Sequence, residues 1–138
     1  MKSRNFNPAL SFCKRAQSDP EAVALWVDGA HYTYADLAER AGRIAAWLKK
    51  REGAGLRRVA ILTRRNVGAY VGILASCWAG AGYVPLNPGF PEKRLEAILA
   101  LARPDALIVD AASLPLLTPA LFRYLSERSV LVVDGDQK

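Results

Sequence analysis

The stretch CWAGAGYVPLNPGFPEKRL, residues 77–95, decides how this chain is read. It starts apolar, passes Gly80 and Gly82, and ends in a Pro–Asn–Pro cluster followed by charge. As a glycine-rich loop it would cradle a ligand; as a connector it would hold one strand between two helices. The flanking residues favour the connector. NVGAYVGILASCWAG (66–80) has Asn66 as a cap, then Val67, Tyr70, Val71, Leu74, Cys77 and Trp78 at helical spacing. Gly80 and Gly82 end that helix. YVPL (83–86) reads as a short strand, NPGF (87–90) as a turn, and Pro91 as a first-turn residue of a helix carrying Leu95, Ile98, Leu99 and Ala102. Pro104 stops it. The glycine pair thus follows a helix and precedes a strand, which is the reverse of a dinucleotide-binding fingerprint. GAGLRR (53–58) fails for the same reason, and the sequence contains no phosphate-binding P-loop pattern.

Outward from that stretch the same exchange repeats. RRVAILTRR (57–65) has an apolar strand centre at 58–62, ALIVD (106–110) is a second, and VLVVDG (130–135) a last one with its core at 130–133. Residues 112–128 read as an irregular helical crossover broken at Pro115 and Pro119. Upstream, PALSFCKRAQSDP (8–20) has a short helical pattern with Leu10, Cys13 and Phe12 on one side. AVALWVDGAHYTY (22–34) reads as a hairpin turning at Asp28–Gly29. A long helix starts near Thr33, with Asp36 three residues on as in a capping box. Tyr34, Leu37, Ala38, Ala41, Ile44, Ala45 and Leu48 form its apolar face, and Lys49, Lys50 and Arg51 suit its C-terminal end. Strands alternating with helices predict an α/β domain. It has a three-layer open, largely parallel sheet with helices on both faces and an N-terminal hairpin.

Composition bounds the function. The 138 residues suffice for one domain with a true core, and 51% apolar against 23% charged residues describe a compact chain. Lys and Arg number 19 against 13 Asp and Glu, a net charge of +6. Arg57 and Arg58, and Arg64 and Arg65, flank one strand and read as its solvent-facing ends; no nucleic-acid-reading signature accompanies them. Cys13 and Cys77 lack the paired spacing of a redox or zinc motif and fit buried roles in a reducing, cytoplasmic compartment. His31 is alone, so most histidine-based zinc sites are excluded. No apolar run reaches membrane-span length. Asp110 and Asp134 sit at strand ends, where ligand sites occur in open sheets, but read as strand-ending solvent contacts. Trp26, Trp47 and Trp78 read as apolar anchors. The residues alone assign no catalytic, cofactor-binding or metal-binding group.

Two separated motifs give a resemblance. YTYADL (32–37) resembles the early T-Y-x-E-L motif of the adenylate-forming enzymes, the superfamily of amino-acid adenylation domains and acyl-CoA synthetases, with Asp36 in place of glutamate. WAGAGYVPLNPGFPEKRLEAIL (78–99) resembles their later K-A-G-x-x-Y-V-P-L-D-P-x-x-P-x-x-R motif. Trp78 replaces its lysine and Asn87 its aspartate, while Tyr83, Pro85, Leu86, Pro88, Pro91 and Arg94 are kept. The structural-motif set is therefore Thr33, Tyr34, Asp36, Leu37, Gly80, Tyr83, Pro85, Asn87, Pro88, Pro91 and Arg94, with Arg94 expected to fix the turn or a neighbouring carbonyl by hydrogen bonding.

The resemblance implies that residues 1–138 are the N-terminal part of the large subdomain of a longer enzyme. That parent would be an ATP-dependent ligase, using ATP and magnesium to convert a carboxylic or amino acid to its adenylate. The acyl group would then pass to a carrier-protein or coenzyme A thiol. The family's phosphate loop, adenine motifs and catalytic lysine lie downstream, so the isolated chain is expected to be inactive scaffold. Its partner would be the missing downstream part. Apolar surface left uncovered around 106–133 implies self-association in isolation. The alternative is a naturally truncated structural partner of an adenylation enzyme.

Overall fold

The computed structural model describes residues 7–126 and 129–133. Helix α1 spans Pro8–Ser18, strands β1 and β2 span Val23–Val27 and Ala30–Thr33, and helix α2 spans Tyr34–Glu52. Then follow β3 (Arg58–Leu62), α3 (Val67–Trp78), β4 (Gly82–Leu86), α4 (Glu92–Ala102) and β5 (Ala106–Asp110). The short α5 (Pro119–Phe122) and β6 (Val130–Val133) follow; the irregular crossover is a 3-10 turn over Leu114–Leu116 containing Pro115, interrupted at Leu117–Thr118, with Pro119 opening α5. Asp134 and Asp136 lie outside the described residues.

The four later strands form one parallel sheet in the order β4-β3-β5-β6. The chain starts at β3, steps outward to β4, then crosses back to β5 on the other side. That reversal places a topological switch point between β3 and β5. Side chains alternate across the sheet with period two. Ala60, Leu62, Leu107 and Val109 meet Leu95 and Leu99 of α4 and Leu121 of α5. Val59, Ile61, Ala106 and Ile108 pack with Leu48 of α2 on the opposite face. A third cluster joins α2 to α3 and the hairpin through Tyr32, Leu37, Ala41, Val67 and Val71. These are the expected three layers. Every residue of β5 is buried, as the apolar run ALIVD requires of an inner strand.

Local chemistry sets the element ends. Asp28 and Gly29 both have positive φ, 52° and 73°, which suits a two-residue hairpin turn. Thr33 Oγ1 accepts the Asp36 amide at 3.1 Å while Asp36 Oδ2 accepts the Thr33 amide at 3.0 Å, completing the capping box of α2. Gly80 adopts φ 84° after α3; its amide reaches Cys77 O and the Ala81 amide reaches Ser76 O, a Schellman ending that needs glycine in the left-handed region.

Several expectations need correction. Leu10 is 54% exposed; the buried residue of α1 is Ala9. Tyr70 turns outward instead of joining the α3 core, because the side of α3 on the sheet is carried by Gly72, whose position faces Ile61 and Ile108. Trp26 is no anchor: it is 71% exposed and stands edge-on to His31, their ring centroids 4.6 Å apart. The two-stranded hairpin leaves Val23 and Trp26 exposed, uncovered by the described residues.

Candidate functional site

The parallel strands β3, β4 and β5 aim their carboxyl ends at one side of the sheet. There the chain leaves an open crevice of about 920 Å³. Thr63, Arg64 and Arg65 after β3 form one wall, Pro85 to Phe90 after β4 another, and Ala112, Ser113 and Leu116 after β5 a third. Tyr70 of α3 closes part of the side. A smaller hollow of about 440 Å³ lies between α2, α3 and β6, lined by Trp47, Val71 and Val133 with Arg40 and Arg43. The strand-end crevice is the better candidate. It sits at the switch point and gathers polar groups from three separate loops.

Asp110 organises its floor. The residue is 2% exposed. Its Oδ2 accepts the Arg64 backbone N–H at 2.9 Å and Asn66 Nδ2 at 3.0 Å, and its Oδ1 accepts the Ser113 N–H at 2.8 Å. Burial pushes the carboxyl pKa up, but its contacts with Ser113, Arg64 and Asn66 outweigh burial and hold it below the ordinary carboxylate value. Ser113 Oγ lies near the carboxylate, fully buried and outside hydrogen-bond geometry; the bonds that count come from the amides. Asp110 is therefore not the strand-ending solvent contact that its position suggested. It is a buried acceptor tying the loop after β3 to the loop after β5.

Asn66 serves both sides of this arrangement. Its Oδ1 caps α3 at the Ala69 amide, 3.3 Å away, while its amide nitrogen donates to Asp110. In the β4 wall, Asn87 Oδ1 accepts the Gly89 amide at 2.8 Å, and Asn87 O accepts the Phe90 amide at 3.0 Å. This turn needs a side-chain oxygen at position 87, which asparagine and aspartate both supply. Arg94 lies over the Phe90 ring, 3.9 Å from its centroid. Arg94 thus reaches the 87–90 turn, one of the two expected targets, through an aromatic face instead of a hydrogen bond. Pro91 sits one residue before α4, and its carbonyl accepts the Arg94 and Leu95 amides.

The motif residues divide into two groups. Pro85, Asn87 and Pro88 line the crevice, and Arg94 braces its Phe90 wall. Tyr83 is 44% exposed on the edge strand β4, and Gly80 lies in the α3–β4 connection. Thr33, Tyr34, Asp36 and Leu37 build the start of α2 and do not line the crevice. Tyr34 instead meets Phe12 and Arg15 of α1, at 5.6 Å and 5.8 Å. Sequence reasoning missed Asp110 and Ser113 as partners; the only local signal is their spacing of three residues at a strand end.

Among the described residues no group of three or more His, Cys, Asp or Glu side chains could hold a metal ion. Cys13 and Cys77 are both free, and burial pushes the Cys77 thiol pKa up, which disfavours a reactive thiolate. No helix among the described residues is long and apolar enough to cross a membrane.

The chain belongs to the AMP-binding enzyme family, whose profile matches residues 12–138. It is 35% identical over 106 residues to tyrocidine synthase 3 of Brevibacillus parabrevis, covering 77% of this chain and 2% of that protein. Its fold superposes on the crystal structure of IdnL7 with a TM-score of 0.78 and 34% identity, covering 91% of this chain and 24% of that one. An artificially fused adenylation–PCP di-domain, NpsA–ThdA of Klebsiella oxytoca, matches with a TM-score of 0.71 and 31% identity over 90% of this chain and 22% of that one. The chain thus spans a small part of the length of the relatives it matches.

Proposed function

We propose that residues 1–138 form the N-terminal part of the large subdomain of an ATP-dependent, cytoplasmic ligase. The enzyme activates a carboxylic or amino acid as its adenylate and passes the acyl group to a thiol of a carrier protein or coenzyme A. The observation that carries this reading is the family match along residues 12–138, joined to a common fold at 34% identity with IdnL7. The carrier-protein option draws support from NpsA–ThdA, in which an adenylation domain is fused to a PCP.

Within that enzyme this chain serves as scaffold. Among the described residues there is no acidic cluster for magnesium. The N-terminus of α3, the helix beginning nearest the crevice floor, is capped by Asn66 and backed by the Asp110 carboxylate, which would repel a phosphate. Magnesium would therefore be held by the remainder of the polypeptide, and the phosphates of ATP away from the α3 N-terminus. What this chain contributes is a packed sheet and a shaped crevice at its strand ends.

Acid-dependent exchange of pyrophosphate into ATP tests the proposal. The full polypeptide, offered a panel of amino and aryl acids, is expected to show exchange with at least one, and residues 1–138 alone with none. A folded full polypeptide that supports exchange with no acid would overturn the reading.

A further inference from the structure

The crevice has three walls that arise from loops far apart in sequence, and two of them meet on a single side chain. Asp110 receives the Arg64 N–H at 2.9 Å, the Asn66 amide at 3.0 Å and the Ser113 N–H at 2.8 Å. The carboxylate is buried, and no cation pairs with it among the described ion pairs. Its three donors are neutral amides, so the geometry of two loops is fixed by charge-assisted hydrogen bonds rather than by an ion pair. Arg64 and Arg65 are both exposed on the first of these loops and line the crevice. The Arg64 backbone is pinned by Asp110; the guanidinium groups of both are left for whatever enters. Ser113, on the second loop, lines the same crevice.

We infer that Asp110 is a positioning residue that sets the separation of the Arg64–Arg65 wall from the Ser113–Leu116 wall, and so the fit of one substrate of the full enzyme in this crevice. Asparagine at 110 keeps the shape but has one acceptor oxygen where three donors converge. Its amide group would face a donor, so at least one loop must let go. The inference rests on the ligase reading only for its kinetic consequence; the loop geometry stands on this chain alone.

Two measurements on Asp110→Asn test it. In residues 1–138, amide hydrogen exchange at Arg64 or Ser113, compared with Ile61 on β3 as an internal standard, should quicken by about tenfold or more, as expected for loss of a hydrogen bond to a charged group. Unchanged relative exchange at both Arg64 and Ser113 would overturn the inference, whatever the enzyme does. In the full enzyme, the KM of one substrate among acid, ATP and thiol acceptor should rise by about tenfold with kcat nearly unchanged. A Leu99→Val variant, on the α4 side of the core, should move none of the three. A variant that lowers the melting temperature but shifts no KM beyond that control would show Asp110 to be purely structural and overturn the positioning role. Absence of exchange in the wild-type enzyme would instead strike the ligase reading and leave the amide result to decide Asp110.

Discussion

The Asp110 carboxylate accepts the Arg64 backbone N–H at 2.9 Å, joining the ends of β5 and β3 across the switch point of the sheet. Loss of this acceptor leaves buried donors unsatisfied. Asp110→Ala should therefore cost about 2–3 kcal/mol in urea unfolding, with the slope of the transition unchanged. The pH dependence has a definite sign. The folded-state pKa is depressed, so the stabilisation is fully present above the unfolded value of about 3.9 and is lost as pH falls through the lower folded value. Stability of the wild type should drop more steeply below about pH 4 than that of Asp110→Asn. Parallel acid-unfolding curves for the two would contradict this assignment.

Two glycines of α3 should respond in opposite ways to alanine. A Cβ at Gly72 would meet Ile61 Cδ1 and Ile108 Cδ1 at 3.5 Å and 3.6 Å, which is ordinary contact. Gly72→Ala should gain up to about 1 kcal/mol from helix propensity. At Gly68 the added carbon would lie 3.0 Å from Asn66 Oδ1 and 3.2 Å from Val133 Cγ2. Gly68→Ala must push aside the α3 cap or the β6 side chain, so it should be neutral or destabilising. Thermal melts of the two variants decide the matter; equal gains in both would show that the cap yields freely.

Arg94 braces the turn through the Phe90 ring, 3.9 Å below its guanidinium. Arg94→Ala should lower stability by about 0.5–1 kcal/mol, and Phe90→Leu should remove the benefit of Arg94 in a double-mutant cycle. A coupling energy near zero would return Arg94 to a solvent role.

Much of the fold is legible in the sequence because its signals are local. The Thr33–Asp36 capping box, the Asp28–Gly29 turn and the glycine ending of α3 each act within a few residues, and each appears where the sequence places it. The alternation of apolar strands with helices likewise needs no long-range knowledge. What the sequence hides is pairing across distance. Arg64 and Asp110 are 46 residues apart and meet only because β5 lies beside β3, an order that periodicity does not encode. Without that neighbour Asp110 looks like an exposed acid at the end of a strand. Trp26 misleads for the opposite reason: composition marks tryptophan as core, yet on the two-stranded hairpin the described residues leave it exposed. The motif residues were legible as a set, but only the strand order shows that Asn87 and Pro88 face the crevice while Thr33 and Asp36 lie elsewhere.

The central claim is that this chain supplies the scaffold of an adenylating enzyme and none of its reacting groups. Exchange of segments tests it most directly. Residues 12–133 would replace the corresponding part of the NpsA adenylation domain, to which the chain is similar at a TM-score of 0.71. Pyrophosphate exchange would then be measured with whichever acid drives the unmodified NpsA enzyme. The account predicts a folded chimera that retains exchange with that acid, because the groups that react stay with NpsA. A chimera that folds with a native melting transition yet shows no exchange would contradict it, and would place an essential group within the NpsA segment that this chain replaced.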